Sequence, residues 1–144
     1  MDAVHVKNMT LAAVSAGIAF VTKGLGGCDA AMRVLMTLMV ADYLTGMLLA
    51  AVWKRSNKSE TGALDSRAGF KGLCRKCMIL LLIWIAVLLD NAFSSSYVRM
   101  MVILFFVGNE GLSLLENMGL MGVPYPEFLE RALEALKDKG NSGE

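Results

Sequence analysis

The polar interval 53–76, WKRSNKSETGALDSRAGFKGLCRK, constrains the chain more than any other stretch, because it separates two long apolar runs and is strongly basic. It carries Lys54, Arg55, Lys58, Arg67, Lys71, Arg75 and Lys76 against Glu60 and Asp65 alone. Short connections rich in Lys and Arg are held on the cytoplasmic side of a membrane. The interval therefore sets the direction in which each neighbouring run crosses. Inside it, Ser59-Glu60-Thr61-Gly62 can open a short helix. Ser66, Gly69 and Gly72 then recur at helical spacing before Arg75 and Lys76 lead into the next apolar run.

A membrane is the solvent such a chain needs. Of its 144 residues, 56% are hydrophobic, and a mean hydropathy of +0.54 is too apolar for a soluble domain of that length. The charged residues gather between the runs instead of alternating along them, so most of the helices have no wet face. The net charge of +1, with its basic residues beside apolar spans, gives no sign of nucleic-acid binding. Three cysteines, an odd number, set up no disulfide framework and suit reduced thiols in a membrane protein.

The expected architecture is all-α: an integral membrane domain over residues 1–123 with three to four transmembrane helices, then a cytoplasmic amphipathic helix and tail over 124–144. The spans fall at about 9–27, 33–53, 77–96 and 97–117, with 54–76 as the basic cytoplasmic loop. The first is the weakest. Its apolar stretch 9–21 is shorter than the roughly 20 residues of a spanning helix, although a snorkelling Lys23 can lengthen it. In the three-span version this run lies along the membrane. Leu25-Gly26-Gly27-Cys28 resembles a lipoprotein cleavage box, but Lys23 interrupts the apolar stretch that a leader requires.

The second run has the length of a spanning helix, and Asp42, near its centre, is the only charge between 34 and 53. An acid at that depth costs roughly 2.5 to 3.5 kcal/mol, while each Leu or Val returns about 0.3 to 0.6. Insertion survives with little margin. Thr45 and Gly46 follow three and four residues later, so Asp42 shares a small-residue face where another helix can come close. It is either a satisfied packing group or the lining of a watery path. The third run, 77–89, reaches only about 20 Å of a core about 30 Å thick, which carries Asp90 into the outer bilayer. Beyond the serine turn 94–96, Arg99 is placed to pair with Asp90 across a helical hairpin.

The fourth run is apolar from 100 to 107 and then continues as GNEGLSLLENMG. Asn109, Ser113 and Glu116 share one stripe, and Glu110, Ser113 and Asn117 its neighbour, so this half is amphipathic. Glu116 and Asn117 can mark the cytoplasmic boundary, whereas Glu110 lies deeper. Pro124 and Pro126 break the chain before a charged helix with Phe128, Leu129, Ala132, Leu133 and Leu136 on its apolar side.

Catalysis finds little support. His5 is the only histidine, which excludes histidine triads and clusters within one chain. Cys74 and Cys77 form C-x-x-C without a second pair, and no glycine-rich phosphate loop follows a strand. No cofactor is expected.

Four features in order carry a resemblance: Ala41-Asp42-Tyr43-Leu44-Thr45-Gly46; the basic stretch from Ser66-Arg67-Ala68-Gly69 to Arg75-Lys76; Asp90 closing the third span; and Asn109-Glu110-Gly111-Leu112-Ser113-Leu114-Leu115-Glu116-Asn117 before Pro124 and Pro126. Over roughly 37–136 the chain resembles the toxin-secretion/phage-lysis holin family. That resemblance implies a protein of the bacterial cytoplasmic membrane that self-associates as a homo-oligomer and opens lesions for an endolysin, with an antiholin as a further partner. The physical alternatives are a small ion- or proton-coupled transporter and a structural membrane subunit.

Both termini are expected on the cytoplasmic side with the basic loop. Amine labelling from outside intact cells should leave Lys58 and Lys71 unmodified, and reaction at either would reverse the orientation.

Overall fold

In the computed structural model, residues 3–54 and 65–142 are described, and they form helices with no strand among them. Arg55, Lys58 and the helix start expected at Ser59-Glu60-Thr61-Gly62 lie outside the described residues. The elements are α1 (Ala3–Gly24), α2 (Ala30–Leu48) with a π-helical turn at Leu49–Trp53, α3 (Ser66–Phe93), α4 (Val98–Leu120) and α5 (Glu127–Ser142). Four stretches, Val4–Gly24, Ala30–Trp53, Ser66–Phe93 and Val98–Leu120, are long and apolar enough to cross a membrane.

The first run qualifies because the helix outgrows its apolar centre. His5, Lys7 and Asn8 continue α1 at one end, and Thr22 and Lys23 at the other. At about 1.5 Å per residue these added turns supply the length of a crossing. The chain then turns through Gly26 and Gly27, whose φ values of 76° and 95° strain any residue with a Cβ. α1 is exposed along most of its length and meets the bundle near its C-terminal end, where the rings of Phe20 and Trp84 lie 5.5 Å apart.

α3 begins eleven residues before the expected start at 77, so Arg67, Lys71, Arg75 and Lys76 stand on its opening turns. Asp65 caps it by accepting from the Arg67 amide at 3.0 Å. Gly69 and Gly72 face the ring of Tyr43 on α2, and the two helices close together there. Capping and small-residue spacing thus carry the helix through the basic stretch.

The core lies between α2, α3 and α4. Met32, Leu35, Met39, Ile79, Ile83, Ile103 and Val107 form one buried cluster, with Leu35, Ile83 and Ile103 wholly covered. The outward faces, including Val34, Val40, Leu44, Leu81, Leu82 and Leu88, remain exposed and apolar, as lipid-facing helices require. α5 begins after the break at Pro124 and Pro126. It runs back along α4, with Leu133 and Lys137 against Gly108 and Gly111, and Gly140 against Met101 and Phe105.

At the end of the bundle where α3 turns into α4, one expectation is corrected. The Asp90 carboxylate does not pair with the Arg99 guanidinium. It accepts from the Ser95 hydroxyl, from the Val98 amide at 3.0 Å and from the Arg99 amide at 2.9 Å. Those amides are the unsatisfied donors of α4's first turn, and in an apolar surrounding they need an acceptor. The Arg99 side chain turns instead to the α1–α2 connection. It donates to the Leu25 carbonyl at 2.7 Å and the Gly27 carbonyl at 3.1 Å, and pairs with Asp29 at 2.6 Å. The hydrogen bond from Arg99, joined by one from the Met32 amide, holds the Asp29 carboxyl below its ordinary range.

Asp90→Ala should therefore cost about 1 to 2 kcal/mol as a lost helix cap, and neutralising Arg99 should not rescue it. A double-mutant cycle on thermal unfolding in detergent tests this: a coupling much above about 1 kcal/mol would restore the ion pair.

Candidate functional site

Three helices each bring one polar position to the same depth inside the bundle. On α2 the covered residues Met32, Leu35, Met39 and Asp42 recur at alternating spacings of three and four, and Gly46 and Leu49 continue the seam. On α3 the same rhythm runs Gly69, Gly72, Lys76, Ile79, Ile83, Ala86 and Asp90. On α4 it runs Ile103, Val107, Glu110, Leu114 and Asn117. Such spacing keeps one stripe of each helix facing its partners. The polar members are therefore held in the seam by their apolar neighbours.

Where the seams meet, the Lys76 ammonium donates to Asp42 Oδ2 at 2.9 Å and to Glu110 Oε2. Asp42 is 4% and Glu110 3% exposed, so both acids are shut away from the surface of the bundle. The Asn117 amide donates to Asp42 Oδ1 at 3.0 Å, to the Asp42 carbonyl at 3.3 Å and to Thr45 Oγ1 at 3.2 Å. Thr45 can accept because its own proton goes back to the Ala41 carbonyl at 2.8 Å. Among the described residues, no buried side-chain polar atom lacks a hydrogen-bond partner.

Closure of this kind is what a low-dielectric setting demands. A lone acid at mid-membrane costs roughly 2.5 to 3.5 kcal/mol, and an ammonium bridging two acids offsets much of that for both. Ionised throughout, the trio holds one more negative charge than positive. Separating the helices would leave the acids and Lys76 seeking water or a neighbouring chain.

Sequence reasoning named Asp42, Thr45, Glu110 and Asn117, and the structure brings all four together. Gly46 lies half-buried one turn beyond Asp42. Asn109 and Ser113 are half-buried and Glu116 is exposed, on faces adjoining the Glu110–Asn117 stripe. Asp90 and Arg99 belong to the opposite end. Lys76 is the residue whose role was missed, because it reads as one more orienting cation in the basic stretch. Its place four residues after Gly72 and three before Ile79 was the available signal.

Comparison with known proteins places this chain in a family. A sequence model described as the bacteriophage holin family matches residues 19–138. An uncharacterized protein of Clostridium perfringens strain 13 is 35% identical over 118 residues, covering 81% of this chain and 82% of that protein. A second C. perfringens relative, an uncharacterized 14.9 kDa protein in the nagH 3′ region, is 34% identical over 128 residues, covering 88% and 90%. A probable holin of Bacillus phage phi105 is 28% identical over 107 residues, covering 74% and 73%. No solved structure matches the chain.

Lys76→Met should destabilise the bundle by about 3 to 5 kcal/mol, the usual result of stripping a partner from buried charges. Adding Asp42→Asn and Glu110→Gln should recover most of the loss. Thermal unfolding in detergent reads both effects, and an unaltered melting temperature for Lys76→Met would deny the cluster its structural weight.

Proposed function

The chain belongs to the bacteriophage holin family, and on that premise we propose that it accumulates in the cytoplasmic membrane of a bacterial host, associates with itself and opens lesions that release an endolysin. The observation that carries this reading is the buried trio of Asp42, Lys76 and Glu110. Within one chain it satisfies groups that would otherwise demand water, so a packed subunit can wait in the membrane without conducting. Once helices separate, the same groups favour a water-filled opening, because they cannot face lipid unpaired. In this reading Thr45, Gly46 and Asn117 support the trio, and Asn109, Ser113 and Glu116 extend the polar surface toward the cytoplasmic end of α4.

Lys54, Arg55, Lys58, Arg67, Lys71, Arg75 and Lys76 set the orientation, with the amino terminus and the basic interval on the cytoplasmic side in the resting protein. The partners are further copies of this chain, the lipid bilayer, an endolysin that acts after the lesion opens and an antiholin that delays it. No catalytic role is assigned. One feature favours a second reading: two acids sharing one lysine inside a membrane can also carry a proton, as in a small proton-coupled transporter.

Induction in a bacterial host, with and without a cytoplasmic muralytic enzyme, separates these readings. Abrupt depolarisation with enzyme-dependent lysis is expected. Substrate-linked proton flux without lysis would favour the transporter, and neither response would leave a structural subunit. Asp42→Asn and Glu110→Gln should each shift the time of lysis while membrane insertion is retained, and unchanged timing in both would remove these acids from the mechanism.

A further inference from the structure

The carboxyl-terminal helix lies where a charged helix has no place in lipid. Leu133 and Lys137 pack on Gly108 and Gly111, and Gly140 packs on Met101 and Phe105, so α5 runs antiparallel to α4 and shares its depth. That part of α4 includes the apolar stretch 100–107 and lies within about 20 Å of the α4 N-terminus. If α4 crosses the membrane, the second half of α5 sits beside hydrocarbon.

The contact is close. A Cβ at Gly108 would stand 2.5 Å from the Leu133 carbonyl oxygen, and one at Gly111 would stand 2.7 Å from a Leu133 methyl. Glycine at these positions lets the two backbones approach, as in tightly packed membrane helices. Yet the outer face of α5 exposes Glu127, Arg131, Glu134, Asp138 and Lys139. Turned toward lipid at that depth, each such charge would carry the desolvation penalty of an ion near the bilayer centre. Facing water, the same residues incur no such penalty.

We infer that α5 is the water-facing wall of the assembled lesion: copies of the chain stand side by side with α4 as backing and the charged face of α5 toward the lumen. The occupant of that face is water enclosed by further copies of this chain. Lipid is excluded by the charges, and the glycine contacts hold the helix against the span. Phe128 and Leu129, exposed near the start of α5, are left to meet a neighbouring copy. This inference rests on the lesion-forming reading above and adds the surface that lines the opening.

Two measurements on the full chain test it. In planar bilayers of phosphatidylethanolamine and phosphatidylglycerol, Glu134→Lys with Asp138→Lys turns an exposed face of three acids and two bases into one acid and four bases. The cation-to-anion permeability ratio should fall several-fold, and a conducting variant with an unchanged ratio would overturn the inference. In vesicles of the same lipids, Asp138→Cys is spin-labelled in a background lacking Cys28, Cys74 and Cys77, with a second label at Met100→Cys. The two labels should lie within close dipolar range, and the label at 138 should be open to a water-soluble relaxation agent. Distant labels, or a label at 138 open only to oxygen dissolved in lipid, would overturn the inference. A wild-type chain that conducts nothing would defeat the lesion-forming reading, and the label measurements would still decide where α5 lies.

Discussion

A single ammonium shared by two carboxylates is the constraint on which the bundle rests. Lys76 stands at the head of an apolar helix, where a lysine would normally reach out toward water. Here it reaches inward to Asp42 and Glu110. The direction follows from its place in the seam of α3, between Gly72 and Ile79, where the glycines below let α2 come close. Each of the three crossing helices therefore carries a charge that the other two make tolerable. Removing any one of them changes the cost of the rest.

A second polar knot lies further along α3. Fourteen residues separate Lys76 from Asp90, about 21 Å of helix, which is less than the thickness of a hydrocarbon core. Both knots must then be satisfied by the protein itself. The far one does so with backbone groups: Asp90 supplies acceptors to the first turn of α4, and Arg99 ties that turn to the α1–α2 connection. It behaves as a fastening. The near one is built from side chains, two acids and one lysine drawn from three helices.

For a holin these two ends suggest a division of labour. In the proposed lesion the fastened end would keep helices paired while the other end opens, so subunits need not unfold to rearrange. α5 adds a third polar surface, docked on α4 through glycine contacts and charged on its outer side. In a lone subunit that surface has no favourable place in lipid. In the proposed lesion it would face the same water that the opened trio would seek.

Much of this was written in the chain order. The long apolar runs, the basic interval and the glycines that end α1 determine the helices and which of them can cross, because insertion depends on local hydropathy and flanking charge. The seams were also legible, since Asp42, Glu110 and Asn117 sit at the three-and-four spacing of their apolar neighbours. What that spacing could not supply was pairing across helices. Only the packed bundle decided that Lys76 belongs to Asp42 and Glu110, that Arg99 abandons Asp90 for Asp29, and that α5 folds back along α4. Partners far apart in sequence are chosen by which seams meet and at what depth, and that is fixed by close approach at glycines and by the shape of the core.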